Sequence, residues 1–317
     1  MLPSVAQFMT RLIDYAGLFP PAELPMEEAV RQYARYSRDP DHDMLGRFVI
    51  PVSRLGELEP HLALFSPEQP IRLSVIGYRS RSSAECLELL TSSLARMESF
   101  QTDANGRAVM DTLELPLPQI PMQASFLNTI EKETVNAGLR TFCEFTYALD
   151  AHWEGNLLEA IHQLAMRSAE GKAKLGMKLR TGGLTPEAFP STAQVALALQ
   201  ACRDSAIPLK FTAGLHHPIR MFRSEVNARM HGFLNVFMAG LLAHAHDLDR
   251  KQIEEIVADE DPKHFEFTNG GFHWKSLFLS TEQIQTYRSI ALTGYGSCSF
   301  DEPRDELREL LHLEQGG

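Results

Sequence analysis

The chain has 317 residues, a formal net charge of -11 at pH 7 and four scattered cysteines. Such an acidic balance argues against nucleic acid or an anionic membrane as the main partner, because both need a basic surface. No apolar run reaches the roughly 18 residues of a membrane span, and Met1-Leu2-Pro3-Ser4-Val5 lacks the regions of a signal peptide. Cys86, Cys143, Cys202 and Cys298 form no CxxC pair. Reduced, buried thiols in a cytoplasmic protein are therefore expected.

In chain order, the first feature is Val5–Ser37, read as a helical segment within an N-terminal extension covering residues 1–45. Inside it, Ile13-Asp14-Tyr15-Ala16-Gly17-Leu18-Phe19-Pro20-Pro21-Ala22 is dense in aromatic, glycine and proline residues, which predicts an ordered turn. That turn either covers a barrel mouth, with Asp14 or Tyr15 reaching the pocket, or plugs the opposite end. Strand patterns follow at Arg47–Val52, Arg72–Tyr78, Asp111–Leu117, Thr141–Ala148, Lys174–Arg180, Leu209–Gly214, His264–Thr268 and Ser289–Tyr295. Helical patterns alternate with them at Ser83–Phe100, Phe126–Ala137, Leu157–Ala169, Ser191–Ser205, Phe233–Ala245 with Arg250–Asp259, Thr281–Gln285 and Arg304–His312. Strands alternating with helices predict a parallel sheet covered by helices. Eight such units predict an α/β chain folded as one (β/α)8 TIM-type barrel over 1–317. A doubly wound open sheet is the alternative, but no Gly-x-Gly-x-x-Gly follows an early strand.

Side chains alternate between the helix-facing and interior sides of a barrel strand. Leu175, Met177 and Leu179 are apolar and take the helix side, which leaves Lys174, Gly176, Lys178 and Arg180 inside. The same parity puts Glu114, Glu144, Lys210, Thr212 and Glu266 inside. Five strands thus aim charged groups at one axis. A one-residue slip, or exposed edge strands, would instead put them in water. Agreement among five strands favours a functional cleft, because paired charges in an interior are costly otherwise.

A lysine in a dry interior beside a second cation has its ammonium form disfavoured by desolvation and by like-charge repulsion. The free amine then attacks a carbonyl carbon, as Schiff-base catalysis requires. Lys210, with Lys178 and Arg180 on the adjacent strand, is the expected nucleophile, and Glu144 or Glu114 the proton shuttle. Lys178 and Arg180 also suit a substrate carboxylate or phosphate as fixed cations.

Lys210-Phe211-Thr212-Ala213-Gly214, on the sixth predicted strand, resembles the Lys-Thr-Ser-Thr-Gly strand of the deoxyribose-phosphate aldolase group. The resemblance implies a sixth-strand lysine that forms a Schiff base with the sugar. It also implies a second lysine on the seventh strand, near a phosphate-binding glycine. Lys275, after Asn269-Gly270-Gly271-Phe272-His273-Trp274, is the nearest counterpart there, with Lys178 as the other source of a second cation.

Gly270 with Gly271, and Gly296 with Ser297, fall where barrels bind phosphate through backbone N–H groups, or else form tight turns. Arg220 and Arg223 are further candidates for binding an anion. His216 and His217 close the sixth predicted strand and are read as substrate-binding, with no more than one of them facing the site. Glu144, His216 and His231 form the alternative, a divalent-metal set, although no His-Glu-x-x-His is present. The stripe Phe233, Leu234, Phe237, Met238, Leu241 and Leu242 is core, or a homo-oligomer surface if exposed.

Three functions are expected in order. The first is an aldolase-type lyase without a cofactor, acting on a small anionic oxo-acid or sugar phosphate. The second is a metal-dependent hydrolase or isomerase, and the third a non-catalytic barrel that binds a small anion.

Overall fold

The computed structural model describes residues 1–118, 124–168 and 175–315. Lys174, expected to open an interior-facing strand, lies outside the described residues. Thirteen strands occur among them. The first seven are β1 Ile13–Tyr15, β2 Leu45–Pro51, β3 Ile71–Ile76, β4 Ala108–Leu117, β5 Arg140–Phe145, β6 Gly176–Arg180 and β7 Leu209–Thr212. There follow β8 Met221–Arg223, β9 Ala228–Met230, β10 Phe265–Phe267, β11 Gly271–Trp274, β12 Leu277–Ser280 and β13 Leu292–Ser297. A closed parallel barrel runs in the order β1-β13-β7-β6-β5-β4-β3-β2, surrounded by helices. The fold is the expected (β/α)8 TIM-type barrel.

Two strand assignments differ from expectation. The N-terminal extension is not purely helical: between the helices Pro3–Met9 and Met26–Tyr36 it supplies β1, which pairs with β2 and β13 and closes the barrel. The sequence around His264–Thr268 forms no barrel strand. It yields β10, the edge of an antiparallel sheet with β11 and β12. Phe265 and Phe267 are buried there while Glu266 is exposed, so Glu266 leaves the expected interior set. Alternation of apolar and polar residues marks one buried face, and it is the same for a barrel strand as for an outer sheet.

Local sequence explains the regular helices around the barrel. Ser191 caps Thr192–Asp204 by accepting from the Gln194 backbone N–H, and the Gln194 side chain answers at the Ser191 N–H. Ser280 with Gln283 does the same for Thr281–Ile290. The helix Phe233–His246 is apolar all round, with Phe233 to Ala243 buried. It packs against Thr192–Asp204, Arg250–Ala258 and Thr281–Ile290. Its expected alternative as a homo-oligomer surface therefore fails, because that face is interior. No helix among the described residues is long and apolar enough to cross a membrane.

Candidate active site

Register places the charged side chains in adjacent strands at similar height. Glu144 on β5 is opposite Lys178 on β6, and Lys178 is opposite Lys210 on β7. Asp14 on β1 pairs in register with Gly296 on β13, which pairs with Thr212. Asp14, Glu114, Glu144, Lys178 and Lys210 are all buried. Lys178 Nζ lies 2.5 Å from Glu114 Oε2 and 2.9 Å from Glu144 Oε2. Lys210 Nζ bonds Asp14 Oδ2 and lies 3.3 Å from Glu114 Oε1. Ser74 Oγ donates to Glu114 Oε1 at 2.6 Å, and Arg180 approaches Glu144 Oε1 at 3.5 Å. Three carboxylates thus face three cations, the condition under which a buried cluster avoids a large desolvation cost.

Asp14 is the member that the sequence leaves open, as one of two residues of a turn that covers either end of the barrel. A three-residue strand shows little periodicity; only the parity of Ile13 and Tyr15 about Asp14 carried a signal. Tyr15 points outward, donating to Gln32 Oε1 at 2.7 Å and packing on Tyr33, Tyr36 and Phe48. Gly46 on β2 makes room for the carboxylate, since a Cβ there would sit 2.1 Å from Asp14 Oδ1. The next backbone N–H, that of Arg47, donates to the same oxygen at 2.5 Å.

Burial opposes ionisation of Glu114, but the Lys178 and Lys210 ammonium groups outweigh it and hold its carboxyl at about 2. Burial likewise opposes charge on Lys178. Glu114 and Glu144 outweigh that penalty and hold its ammonium above the ordinary lysine range. The cation-on-cation pressure expected from sequence is thus not the arrangement found, since carboxylates separate the two lysines.

Above the cluster a cavity of about 360 Å³ opens at the C-terminal ends of the strands, where barrel enzymes place their sites. Glu114, Glu144, Lys178, Arg180, Thr212, His216 and Gly296 line it, and Lys210 does not. Phe19, Pro20 and Pro21 also line it, so the segment after β1 forms part of the mouth. Arg79 and Cys298, not singled out from sequence, contribute to the wall. Glu144 Oε1 has no hydrogen-bond partner among the described residues, although it is buried. A larger cavity of about 790 Å³ lies at the opposite end, around Leu139, Leu175, Ile207 and Ile290. The smaller one is the candidate site, because the buried charged groups converge there.

The end of β7 is tightly turned. Ala213 and Gly214 take left-handed φ values of 61° and 77°, and Thr181 Oγ1 donates to Ala213 O at 2.6 Å. A Cβ on Gly214 would lie 2.9 Å from Gly182 Cα. This turn sends the chain outward through His216 and His217. His216 Nδ1 lies 3.2 Å from Glu302 Oε2 and 4.0 Å from Cys298 Sγ. Burial would lower its pKa, but these two partners raise it to about 9. His217 is buried and meets Glu306, 2.8 Å away on the same helix as Glu302; the two histidines lie beyond β7, so strand alternation does not set their directions.

The remaining expected residues lie elsewhere. Gly271 opens β11 and Gly270 precedes it, in the outer sheet that packs on helices Pro3–Met9 and Thr281–Ile290 rather than at the cavity. Ser297 is buried and accepts from Ser299 N at 3.3 Å, within its own turn. Lys275 lies over the Trp274 ring and 3.6 Å from Asp259, away from the cluster. Arg220 approaches Glu260 at 3.6 Å, and Arg223 pairs with Glu225. The expected metal set does not assemble: Glu144 pairs with Lys178 and Arg180, and His216 with Glu302. His231 Nε2 bonds Pro190 O at 2.7 Å, and burial pushes this imidazole down to about 4.

The fold and the site together define a (β/α)8 barrel with a charge-compensated lysine–carboxylate cluster under an open C-terminal cavity. No family model matches the chain, and a search of curated proteins finds no match.

Proposed function

We propose that the chain is an aldolase-type lyase that acts on a small anionic carbonyl compound, an oxo-acid or a sugar phosphate, through a lysine Schiff base. The observation that carries this reading is a buried amine, Lys178, lining a small cavity between two carboxylates, one of which keeps an oxygen with no hydrogen bond and only Arg180 at 3.5 Å. The cations on the neighbouring strand and the aldolase resemblance favoured Lys210 as the nucleophile; we favour Lys178, because it borders the cavity. The strand count supports that choice. With β1 in the barrel, Lys178 stands on the sixth barrel strand and Lys210 on the seventh, the two positions that the aldolase resemblance implies for its lysines.

In this reading Glu144 takes a proton from the Lys178 ammonium as a carbonyl carbon approaches, and the free amine adds to it. Glu144 returns the proton to the carbinolamine hydroxyl, which leaves as water. Glu144, again a carboxylate, takes the proton of the hydroxyl on the β-carbon. The Cα–Cβ bond breaks, its electron pair passes to the iminium to give an enamine, and the β-carbon leaves as the carbonyl of the first product. Glu144 returns that proton to the enamine carbon, and addition of water to the iminium releases the second product and restores the Lys178 amine. Glu114, held ionised at neutral pH, keeps both lysines in place rather than moving protons. Arg180, half exposed at the mouth, pairs with the substrate's anionic group.

A second reading rests on one observation: Lys178 is held as an ammonium. A lysine that never gives up its proton makes the site a fixed-cation anion binder with no turnover. Assays of carbon–carbon cleavage across phosphorylated sugars and hydroxy-oxo-acids separate the two. The lyase reading expects turnover that falls on the order of a thousandfold or more in Lys178→Met. Full turnover in that variant contradicts it, as does binding of these compounds without cleavage of any.

A further inference from the structure

Beside the cavity, a second group of side chains converges that the lysine chemistry does not use. His217, on the loop after β7, meets Glu302 and Glu306 of the helix Asp301–Gln315. The two glutamates are four residues apart and so share one helix face. One ligand atom from each of the three residues lies within 4.8 Å of the others. A tetrahedral zinc ion with bonds of about 2.0–2.2 Å needs ligand atoms ~3.4 Å apart, so small side-chain rotations bring all three onto one ion.

A second observation marks the same place. The Tyr295 hydroxyl is fully buried, has no hydrogen-bond partner among the described residues, and feels the charges of Glu302 and Glu306. A buried, unpartnered hydroxyl in the field of two carboxylates is costly unless a bound ion or its water shell completes the site. Around the group, His216 contacts Glu302 at 3.2 Å, with Cys298 Sγ 4.0 Å from the same imidazole. Outer partners of that kind orient carboxylate ligands in metal sites.

We propose that His217, Glu302 and Glu306 bind a divalent transition-metal ion, separate from the lysine cluster and next to the cavity wall formed by His216 and Cys298. An imidazole nitrogen with two carboxylates suits zinc, cobalt or manganese better than magnesium or calcium, which take oxygen ligands. Three protein ligands leave a coordination position for water.

Equilibrium dialysis of the full chain against Zn²⁺, read by elemental analysis, tests the site, with Co²⁺ absorption as a second signal. The expected result is one ion per chain, with affinity reduced at least about tenfold in His217→Ala and in Glu306→Gln. Glu306→Gln preserves the side-chain shape, and its thermal midpoint without metal checks that the fold survives. No stoichiometric binding in the wild-type chain overturns the proposal. So does binding that both folded variants retain, which would place the ion elsewhere.

Discussion

Lys178 and Lys210 are register partners on neighbouring strands, equally buried, and both bonded to Glu114, yet their surroundings differ. Lys178 reaches the cavity and shares Glu144, whose second oxygen has no hydrogen-bond partner. Lys210 is covered and held by Asp14, whose other oxygen is taken by the Arg47 backbone. One lysine has a proton acceptor whose second oxygen meets only the half-exposed Arg180; the other sits in a closed set of contacts. Equal burial therefore does not mean equal chemical availability, and the difference arises from which carboxylate each strand neighbour supplies.

The comparison breaks most sharply at Glu114, the group common to both lysines. Glu114→Gln removes the shared negative charge, and a buried pair broken from one side costs about 3–5 kcal/mol. Urea unfolding is expected to show a loss of that order, with both lysines affected. Acid provides a second test at the same residue. The Glu114 carboxyl lies at about 2 in the folded chain, below its ordinary 4.5. Its stabilisation is complete above the ordinary value and disappears as pH falls from about 4.5 toward 2. Unfolding free energies across that window are expected to drop in the wild-type chain and to flatten in Glu114→Gln.

A smaller effect is expected at Gly46, which gives the Asp14 carboxylate its space. Gly46→Ala places a methyl group against Asp14 Oδ1 and is expected to cost about 1–3 kcal/mol. The loss acts on the Lys210 side alone and leaves Lys178 reactivity intact. The smallest stability change belongs to Arg180, whose side chain is 46% exposed. Arg180→Ala is expected to shift unfolding by no more than ~1 kcal/mol. Under the proposed function it raises KM for an anionic substrate with a lesser change in kcat.

Much of this site was legible because Glu114, Glu144, Lys178 and Lys210 sit on strands whose alternate residues are strongly apolar. Leu113, Leu115, Met177, Leu179 and Phe211 are buried and fix the parity. Asp14 was harder to place, because a three-residue strand next to Pro20-Pro21 offers almost no period to read. Phe265-Glu266-Phe267 failed in the opposite way. Its alternation is genuine, but the buried face belongs to an outer antiparallel sheet, and periodicity does not say which partner strand will pair. Exchanging those two strands moved Lys178 from the fifth barrel position to the sixth and Lys210 from the sixth to the seventh. His217 and Glu306, 89 residues apart, meet only through the closure of the barrel by β13.

Borohydride reduction in the presence of substrate, followed by peptide mapping, tests the assignment of the amine most directly. The account expects a covalent adduct on Lys178, retained in Lys210→Arg and absent from Lys178→Met. An adduct on Lys210 in the wild-type chain, or turnover without any lysine adduct, would contradict it.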